Sequence, residues 1–177
     1  MNIEEFVIQS EGEWKSMRSG HSLAFQQFEE IISTIKILLL PEDDTRVVNL
    51  IKDSNYLVNQ ISSPFMISWD SDSNWEADSK QSNSSGSSIL IPIPKSKNKG
   101  YMLRSLGYSE RIKALSTYNI LEDGTLILRT TYTQTKSEER IWFISTNVRC
   151  RSSVIYSKES SAILQTSHAS ELRKLKI

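Results

Sequence analysis

Residues 112–134 read IKALSTYNILEDGTLILRTTYTQ, and this stretch decides the fold class. On both sides of Glu122-Asp123-Gly124 the residues are rich in β-branched, aromatic and other apolar types, which strands favour. Asp-Gly between two such runs is a strong signal for a tight turn that joins antiparallel strands. The stretch therefore predicts a β-hairpin with strands at residues 112–121 and 125–134.

Similar segments on both sides extend this hairpin. Two of them follow it with only Thr146-Asn147 between them, so the C-terminal half predicts an antiparallel meander. In residues 88–94, isoleucines alternate with prolines, a pattern that suits an edge or a bent strand. The further predicted strands are residues 14–25, 33–39, 64–70, 88–94, 139–145 and 148–156.

Helical spacing is confined to two places. Apolar residues three and four apart predict an amphipathic helix with Asp43 or Asp44 as its N-cap. A second, short helix is expected around Ile3, Phe6 and Val7. Residues 71–88 are rich in Ser, Asp and Asn and predict a loop. The apolar positions of the longer helix are Val47, Leu50, Ile51, Leu57, Val58 and Ile61.

These elements leave few architectures open. A chain of 177 residues is enough for one domain, residues 1–177. A meander of about eight strands hides its edges by closing or by stacking, and a closed barrel of that size can hold one small ligand. We therefore predict an all-β fold, an antiparallel β-barrel with one or two short helices.

Composition excludes several functions. The 21 basic and 21 acidic residues balance, so no basic field favours nucleic acid. The longest apolar run, residues 37–40, is far shorter than the roughly 20 residues that span a bilayer. An acidic start and a lone Cys150 indicate a mature cytoplasmic chain without disulfides. His21 and His168 are far apart in sequence, so we expect no metal site.

Glu139 is an acidic residue on an apolar strand face. In a strand, alternate residues share a face, so Glu139 lies with Ile141 and Phe143. Its neighbours Glu138 and Arg140 face the other way. Glu139 is therefore a carboxylate on an otherwise apolar strand face.

Two arginines share a face of the next strand. Arg149, Arg151 and Ser153 lie on one side, with Val148, Cys150 and Val154 on the other. The common interpretation is a solvated arginine face and a packed valine face, in which Cys150 has a packing role. The alternative places both guanidinium groups inside a barrel, where they could bind two carboxylates. Periodicity does not choose between them.

Ordered motifs over most of the chain carry a family resemblance: residues 14–21 (WKSMRSGH), 67–69 (ISW), 89–94 (ILIPIP), 104–110 (RSLGYSE), 137–143 (SEERIWF) and 147–154 (NVRCRSSV). In these the sequence resembles the S-type phycobiliprotein lyases, the CpcS/CpeS family. That resemblance implies a lipocalin-like barrel and an enzyme that attaches a linear tetrapyrrole, or bilin, to a cysteine of a phycobiliprotein through a thioether.

The resemblance also implies a site. Two arginines would hold the bilin propionates, a third cation and a serine would assist, and a glutamate would approach the pyrrole nitrogens. The implied catalytic residues are Glu139 and Arg149, and the implied ligand-binding residues are Arg18, Met66, Trp69, Arg149, Arg151 and Ser153. Met66 and Trp69 have opposite parity, so both line one pocket only if their strand bends there.

The implied partners follow from that chemistry. Phycoerythrobilin or phycocyanobilin would be the substrate, with no other cofactor, and the acceptor would be an apo-subunit of phycoerythrin or phycocyanin type. A homodimer stays open. The alternatives are a bilin or lipid carrier without transferase activity, and an interaction module whose barrel is filled with side chains.

Overall fold

The computed structural model describes residues 1–71 and 85–175, and within them ten antiparallel strands close into one barrel. Each strand pairs with its neighbours along the chain, and β1 closes the barrel by pairing with β10. The predicted all-β antiparallel barrel is confirmed. The strands are β1 Gly12–Ser22, β2 Gln27–Leu39, β3 Phe65–Ser71, β4 Ser85–Pro94, β5 Lys99–Arg104, β6 Ala114–Ile120, β7 Leu126–Thr131, β8 Thr135–Ser145, β9 Val148–Ser157 and β10 Ile163–Arg173.

The predicted hairpin is the β6–β7 pair. Gly124 has φ of +84°, which favours glycine, and the Leu121 N–H donates to the Thr125 carbonyl over 2.9 Å. The Asp123 carboxylate accepts from the Thr125 N–H at 2.9 Å and fixes the turn. The Asp-Gly signal therefore predicted the turn correctly, with strands three and four residues shorter than expected.

The short N-terminal helix, α1 (Ile3–Ser10), closes the end of the barrel at which β1 begins. Asn2 and Glu5 form a reciprocal capping box at its start. Phe6 packs edge-on against Phe143 with ring centroids 5.4 Å apart, and Trp14 is fully buried beside it. This end of the interior is consequently an apolar plug.

The second helix, α2 (Thr45–Lys52), has Asp44 as its N-cap and covers the outside of β4 and β5. The prediction that the helix continues to Ile61 is wrong. The Ser54 hydroxyl donates to the Ile51 carbonyl as the helix ends. Leu57 is 65% exposed. A short 3-10 helix, Val58–Gln60, follows. Among the described residues, no helix is long and apolar enough to cross a membrane.

The sequence predicts eight strands and misses β5 and β10. The Lys95 N–H donates to the Lys99 carbonyl, which closes a turn and starts the six-residue β5 directly. The inner face of β10 carries Ala169 and Glu171, both buried. Because Glu171 interrupts the apolar alternation, β10 gives no amphipathic signal.

The strands around the predicted loop extend into it: β3 is shifted by one residue, and β4 begins three residues earlier than expected. Residues 72–84 lie outside the described residues, but Ser71 belongs to β3 and residues 85–88 belong to β4. Pro92 and Pro94 follow Leu90, the last β4 residue paired with β3. Their missing N–H groups therefore cost no ladder bond on that side.

Candidate functional site in the barrel interior

The polar side chains of β8 and β9 point into the barrel. Glu139 is 5% exposed, Arg149 2% and Ser153 7%. Glu139 shares its face with Ile141 and Phe143, which pack against the interior core, so that prediction is confirmed. Of the two interpretations of the β9 arginines, the solvated face is therefore wrong.

Two arginines share one carboxylate. Glu171 on β10 is completely buried, and its Oε2 lies 2.6 Å from Arg149 Nε and 2.5 Å from Arg149 Nη2. Its Oε1 lies 2.8 Å from Arg151 Nε, and the Ser16 hydroxyl lies 3.4 Å away. Two guanidinium groups and one carboxylate leave one positive charge in excess inside the barrel.

This charged layer rests on the apolar plug. The Arg149 guanidinium carbon lies 4.7 Å from the centroid of the Trp14 ring, within cation–π range. The contact fixes Arg149 from below while Glu171 fixes it from the side. Its guanidinium is thus held in one orientation before any ligand arrives.

A second, electrically neutral pair lies across the barrel. Arg104, the last residue of β5, places Nη1 2.8 Å from Glu139 Oε1, and its Nη2 donates to Oε2 over 3.2 Å. The Tyr132 side chain also interacts electrostatically with Arg104. Arg104 and Glu139 are both buried, so each neutralises a charge that would otherwise be costly to bury.

The pKa directions follow from this arrangement. Burial raises the pKa of Glu171, but the combined attraction of Arg151 and Arg149 outweighs burial and leaves that pKa below its usual value. Burial lowers the pKa of the Arg149 guanidinium, and Glu171 does not fully offset it. Glu171 therefore carries its charge at neutral pH, while Arg149 is left short of negative charge.

A small cavity lies beside Glu139 and Arg151, one member of each charged group. Its volume of about 10 Å³ holds roughly one water molecule. Arg18 reaches it from β1 and donates to Glu29 Oε1 at 3.1 Å. The cavity is lined by Arg18, Tyr108, Glu139, Arg151, Ser152, Ser153, Ser167 and Ala169.

Hydrogen bonding in this cluster is incomplete. Among the described residues, Arg104 Nε, Glu139 Oε1 and Arg151 Nε are buried without a hydrogen-bond partner. Arg151 Nε lies close to Glu171, but its N–H does not point at the carboxylate oxygen. Because buried polar groups are nearly always satisfied, these atoms are suited to a polar ligand.

The two predicted β3 residues lie on opposite sides of the barrel wall. Trp69 packs with Ile67 against the interior core, away from the small cavity. Met66 packs outside, against the cluster beneath α2, where Arg46 Nη1 lies 3.4 Å from its sulfur. The strand does not bend enough to bring both inside, so the assignment of Met66 to the pocket is wrong.

Cys150 lies on the outer side of β9 and is 6% exposed. Burial, and secondarily the charge of Glu171, raises the pKa of its thiol. Among the described residues, no group of three or more His, Cys, Asp or Glu side chains is arranged to hold a metal ion. The chemistry of this site therefore centres on guanidinium, carboxylate and hydroxyl groups.

Comparison with known proteins identifies the family. The model of the CpeS-like protein family matches residues 2–174. The chain belongs to this family. It is 44% identical over 175 residues to chromophore lyase CpcS/CpeS 3 of Trichodesmium erythraeum, covering 98% of this chain and 99% of the relative. A chromophore lyase CpcS/CpeS of Thermosynechococcus vestitus is 35% identical over 98% of this chain and 93% of its own.

The CpeS-like fold is shared with a solved structure. The S-type phycobiliprotein lyase CPES from Guillardia theta superposes with a TM-score of 0.85 at 32% identity, covering all of this chain and 95% of that one. The family, the barrel and the enzyme class implied by the sequence resemblance are thus consistent with each other.

Within this CpeS-like barrel, four site residues lack a role in the sequence-based prediction. Glu171 and Ser167 belong to β10, one of the two strands that the sequence pattern misses. Arg104 and Tyr108 lie in the RSLGYSE motif, which carries the resemblance. Only the closed topology shows that Arg104, Tyr108 and Ser167 lie near Glu139 and that Glu171 pairs with the β9 arginines, because their neighbours in sequence give no such signal.

Proposed function

We propose that this chain is a phycobiliprotein chromophore lyase that binds a linear tetrapyrrole, phycoerythrobilin or phycocyanobilin, inside its barrel. It promotes thioether attachment of that bilin to a cysteine of an apo-phycobiliprotein subunit. One observation carries the proposal. The guanidinium groups of Arg149 and Arg151 share the single carboxylate of Glu171, so this group has one positive charge in excess. A buried excess charge is costly, and a ligand carboxylate would neutralise it.

The bilin propionates suit the basic side of this site. Arg149 and Arg151 supply the guanidinium groups, and charge-assisted hydrogen bonds to carboxylates are among the strongest in proteins. Arg18 adds a third cation at the cavity wall, and Ser153 adds a hydroxyl. In this arrangement the ligand shares the arginines with Glu171.

Glu139 suits the pyrrole nitrogens. Its Oε1 lies 2.8 Å from Arg104 Nη1 without a hydrogen bond of good geometry, so it can accept from a further donor. Pyrrole N–H groups are donors, and a protonated bilin carries a positive charge that a carboxylate stabilises. Trp69 offers an aromatic wall for the flat apolar skeleton from elsewhere in the interior.

The proposed reaction needs no nucleophile from the lyase. The thiolate of the acceptor protein adds to the exocyclic ethylidene of the bilin, a C–S bond forms, and the carbon skeleton gains the proton that the thiol lost. Glu139 is placed to relay that proton. The lyase contributes orientation and exclusion of water, both of which lower the barrier of a bimolecular step.

The proposed environment and assembly follow from the same function. We propose that the chain acts in the cytoplasm as one domain, residues 1–177, on a subunit of phycoerythrin or phycocyanin type. If the chain forms a homodimer, the function requires that the dimer leaves the barrel mouth free for the acceptor subunit.

A transfer assay tests the proposal. Purified protein is mixed with phycoerythrobilin or phycocyanobilin and then with apo-subunit, and the denatured products are separated and stained with zinc for bilin fluorescence. We expect a fluorescent acceptor band that depends on the lyase. Bilin binding without that band would indicate a carrier, and an unchanged bilin absorption spectrum would indicate a barrel filled by its own side chains.

A further inference from the structure

We propose that the ring of Tyr108 is the gate of the bilin site, and that an incoming bilin displaces it from the hydroxyl pair of Ser153 and Ser167. The inference rests on the proposed function, because it concerns entry of the same ligand into the same site. It assigns a role to the RSLGYSE motif, which the binding chemistry above leaves unexplained.

Tyr108 forms part of the cavity wall, and its hydroxyl contacts two serines there. That hydroxyl lies 2.8 Å from the Ser153 hydroxyl and 3.3 Å from that of Ser167, and the two serines are 2.7 Å apart. Ser153 is the serine that the proposed function gives to the ligand. In the free protein, Tyr108 therefore uses a group that the bilin needs.

The space beneath Tyr108 is too small for a tetrapyrrole. It holds about one water, whereas pockets for ligands of this size span roughly 300–1,000 Å³. On the cavity wall, Glu139 and Arg151 come from strands and are held in ion pairs with the buried residues Arg104 and Glu171. Tyr108 comes from the connection between β5 and β6, and its hydroxyl bonds neutral serine hydroxyls rather than a charged partner. Its ring is therefore held more weakly than the side chains of Glu139 and Arg151.

Residues 105–113, which connect β5 to β6, are called the strap. The strap backbone beside Tyr108 is fixed, so the ring moves while the strap stays in place. The Tyr108 N–H donates to the buried Tyr132 hydroxyl at 2.6 Å. A side chain at Gly107 would collide with the Tyr132 ring, so only glycine allows this approach. The Glu110 carboxylate accepts from the N–H groups of Thr133, Gln134 and Thr135, at 2.9–3.2 Å.

These anchors connect the gate to both charged pairs. The backbone of Tyr108 reaches Glu139 through Tyr132 and Arg104. Its hydroxyl reaches Ser153, beside Arg151 on the cavity wall. Rotation of the Tyr108 ring alone would expose Ser153 and Arg151 to the ligand, while the backbone link to Glu139 stays in place.

Stopped-flow mixing of bilin with excess protein tests the gate through the visible absorption change. Tyr108→Phe removes the hydroxyl bonds of the closed state only. The association rate constant should rise about two- to tenfold, the range expected for one net hydrogen bond, with the dissociation rate constant unchanged. Ser167→Ala should give a smaller rise. Tyr101→Phe, which removes a hydroxyl on the outer side of β5, is the control and should leave both rates unchanged.

Each alternative has its own result. If Tyr108 instead closes over bound bilin, Tyr108→Phe raises the dissociation rate, which overturns the proposal. If the strap is the gate, Glu110→Gln accelerates entry at least as much as Tyr108→Phe, which also overturns it. If wild type binds bilin and Tyr108→Phe has the same association rate constant as wild type, the proposed gate is overturned while the proposed function stands. No spectral change with wild-type protein overturns the gate and the proposed function together.

Discussion

Arg149 on β9 and Glu171 on β10 are direct cross-strand partners, and their side chains meet at 2.5 Å in a completely buried ion pair. Arg151 reaches the same carboxylate from two residues along β9. In this part of the barrel interior, the carboxylate of Glu171 is therefore the shared counter-ion of two guanidinium groups. Removal of the Glu171 carboxylate and removal of one arginine should accordingly have different effects on stability and on ligand binding.

Glu171→Gln should strongly destabilise the fold. The change leaves two buried guanidinium groups without a counter-charge, a situation that costs about 3–5 kcal/mol. Urea unfolding measures the loss. Glu138→Gln is the matched control, because Glu138 also pairs with two arginines, Arg129 and Arg140, but on the outer face, where ion pairs contribute about 0–1 kcal/mol. Equal unfolding free energies for the two variants would contradict the account.

The stabilisation by Glu171 should depend on pH in a defined direction. Since its folded pKa is below the usual value, its contribution is complete above the ordinary carboxylate range near pH 4.5. It is lost as pH falls through the lowered folded pKa. The stability difference between wild type and Glu171→Gln should stay constant from pH 7 to about 5 and shrink in stronger acid. A difference that grows on acidification would show that Glu171 is not charged in the fold.

The fold was largely predictable because the apolar strands obey a period of two. The Asp123-Gly124 turn and the parity of Glu139 both follow from local rules. The end of α2 does not, because the Ser54 contact and exposure of Leu57 depend on where the helix leaves the barrel wall.

The site was predictable only in part. Parity places Arg149 and Arg151 on one face, but the face that is inside depends on closure of the barrel. Glu171 was beyond reach because a polar interior removes the amphipathic signal of β10. Met66 was misplaced because resemblance gave it a role that the parity of β3 opposes.

Cys150→Ala should retain bilin transfer. The thiol is buried on the outer side of β9 and its pKa is raised, so it is a poor nucleophile and distant in role from the cavity. Transfer to apo-subunit should proceed at close to the wild-type rate at temperatures where the variant stays folded. Mass spectrometry of the wild-type lyase during turnover should find no bilin on Cys150, and such an adduct would refute this role.

Glu139→Gln should separate binding from transfer. The amide keeps the size of the carboxylate and one acceptor oxygen, but it removes the charge and the proton that can be relayed. At saturating bilin and apo-subunit, we expect the transfer rate to fall more than the bilin affinity. Glu138→Gln, one residue away on the outer face, should transfer normally. A Glu139→Gln rate equal to wild type would remove Glu139 from the mechanism.

Bilin affinity of Arg149→Gln tests the central claim most directly. This variant leaves Arg151 and Glu171 as a neutral pair, so it should remain folded, with a change in unfolding free energy of about 1 kcal/mol. The variant loses one charge-assisted contact of about 1.5–3 kcal/mol. The bilin Kd should therefore increase by a factor of roughly ten to more than a hundred. Arg140→Gln, on the outer face of β8, should bind like wild type. Equal Kd values for Arg149→Gln and wild type would contradict binding of the bilin by the excess positive charge inside the barrel.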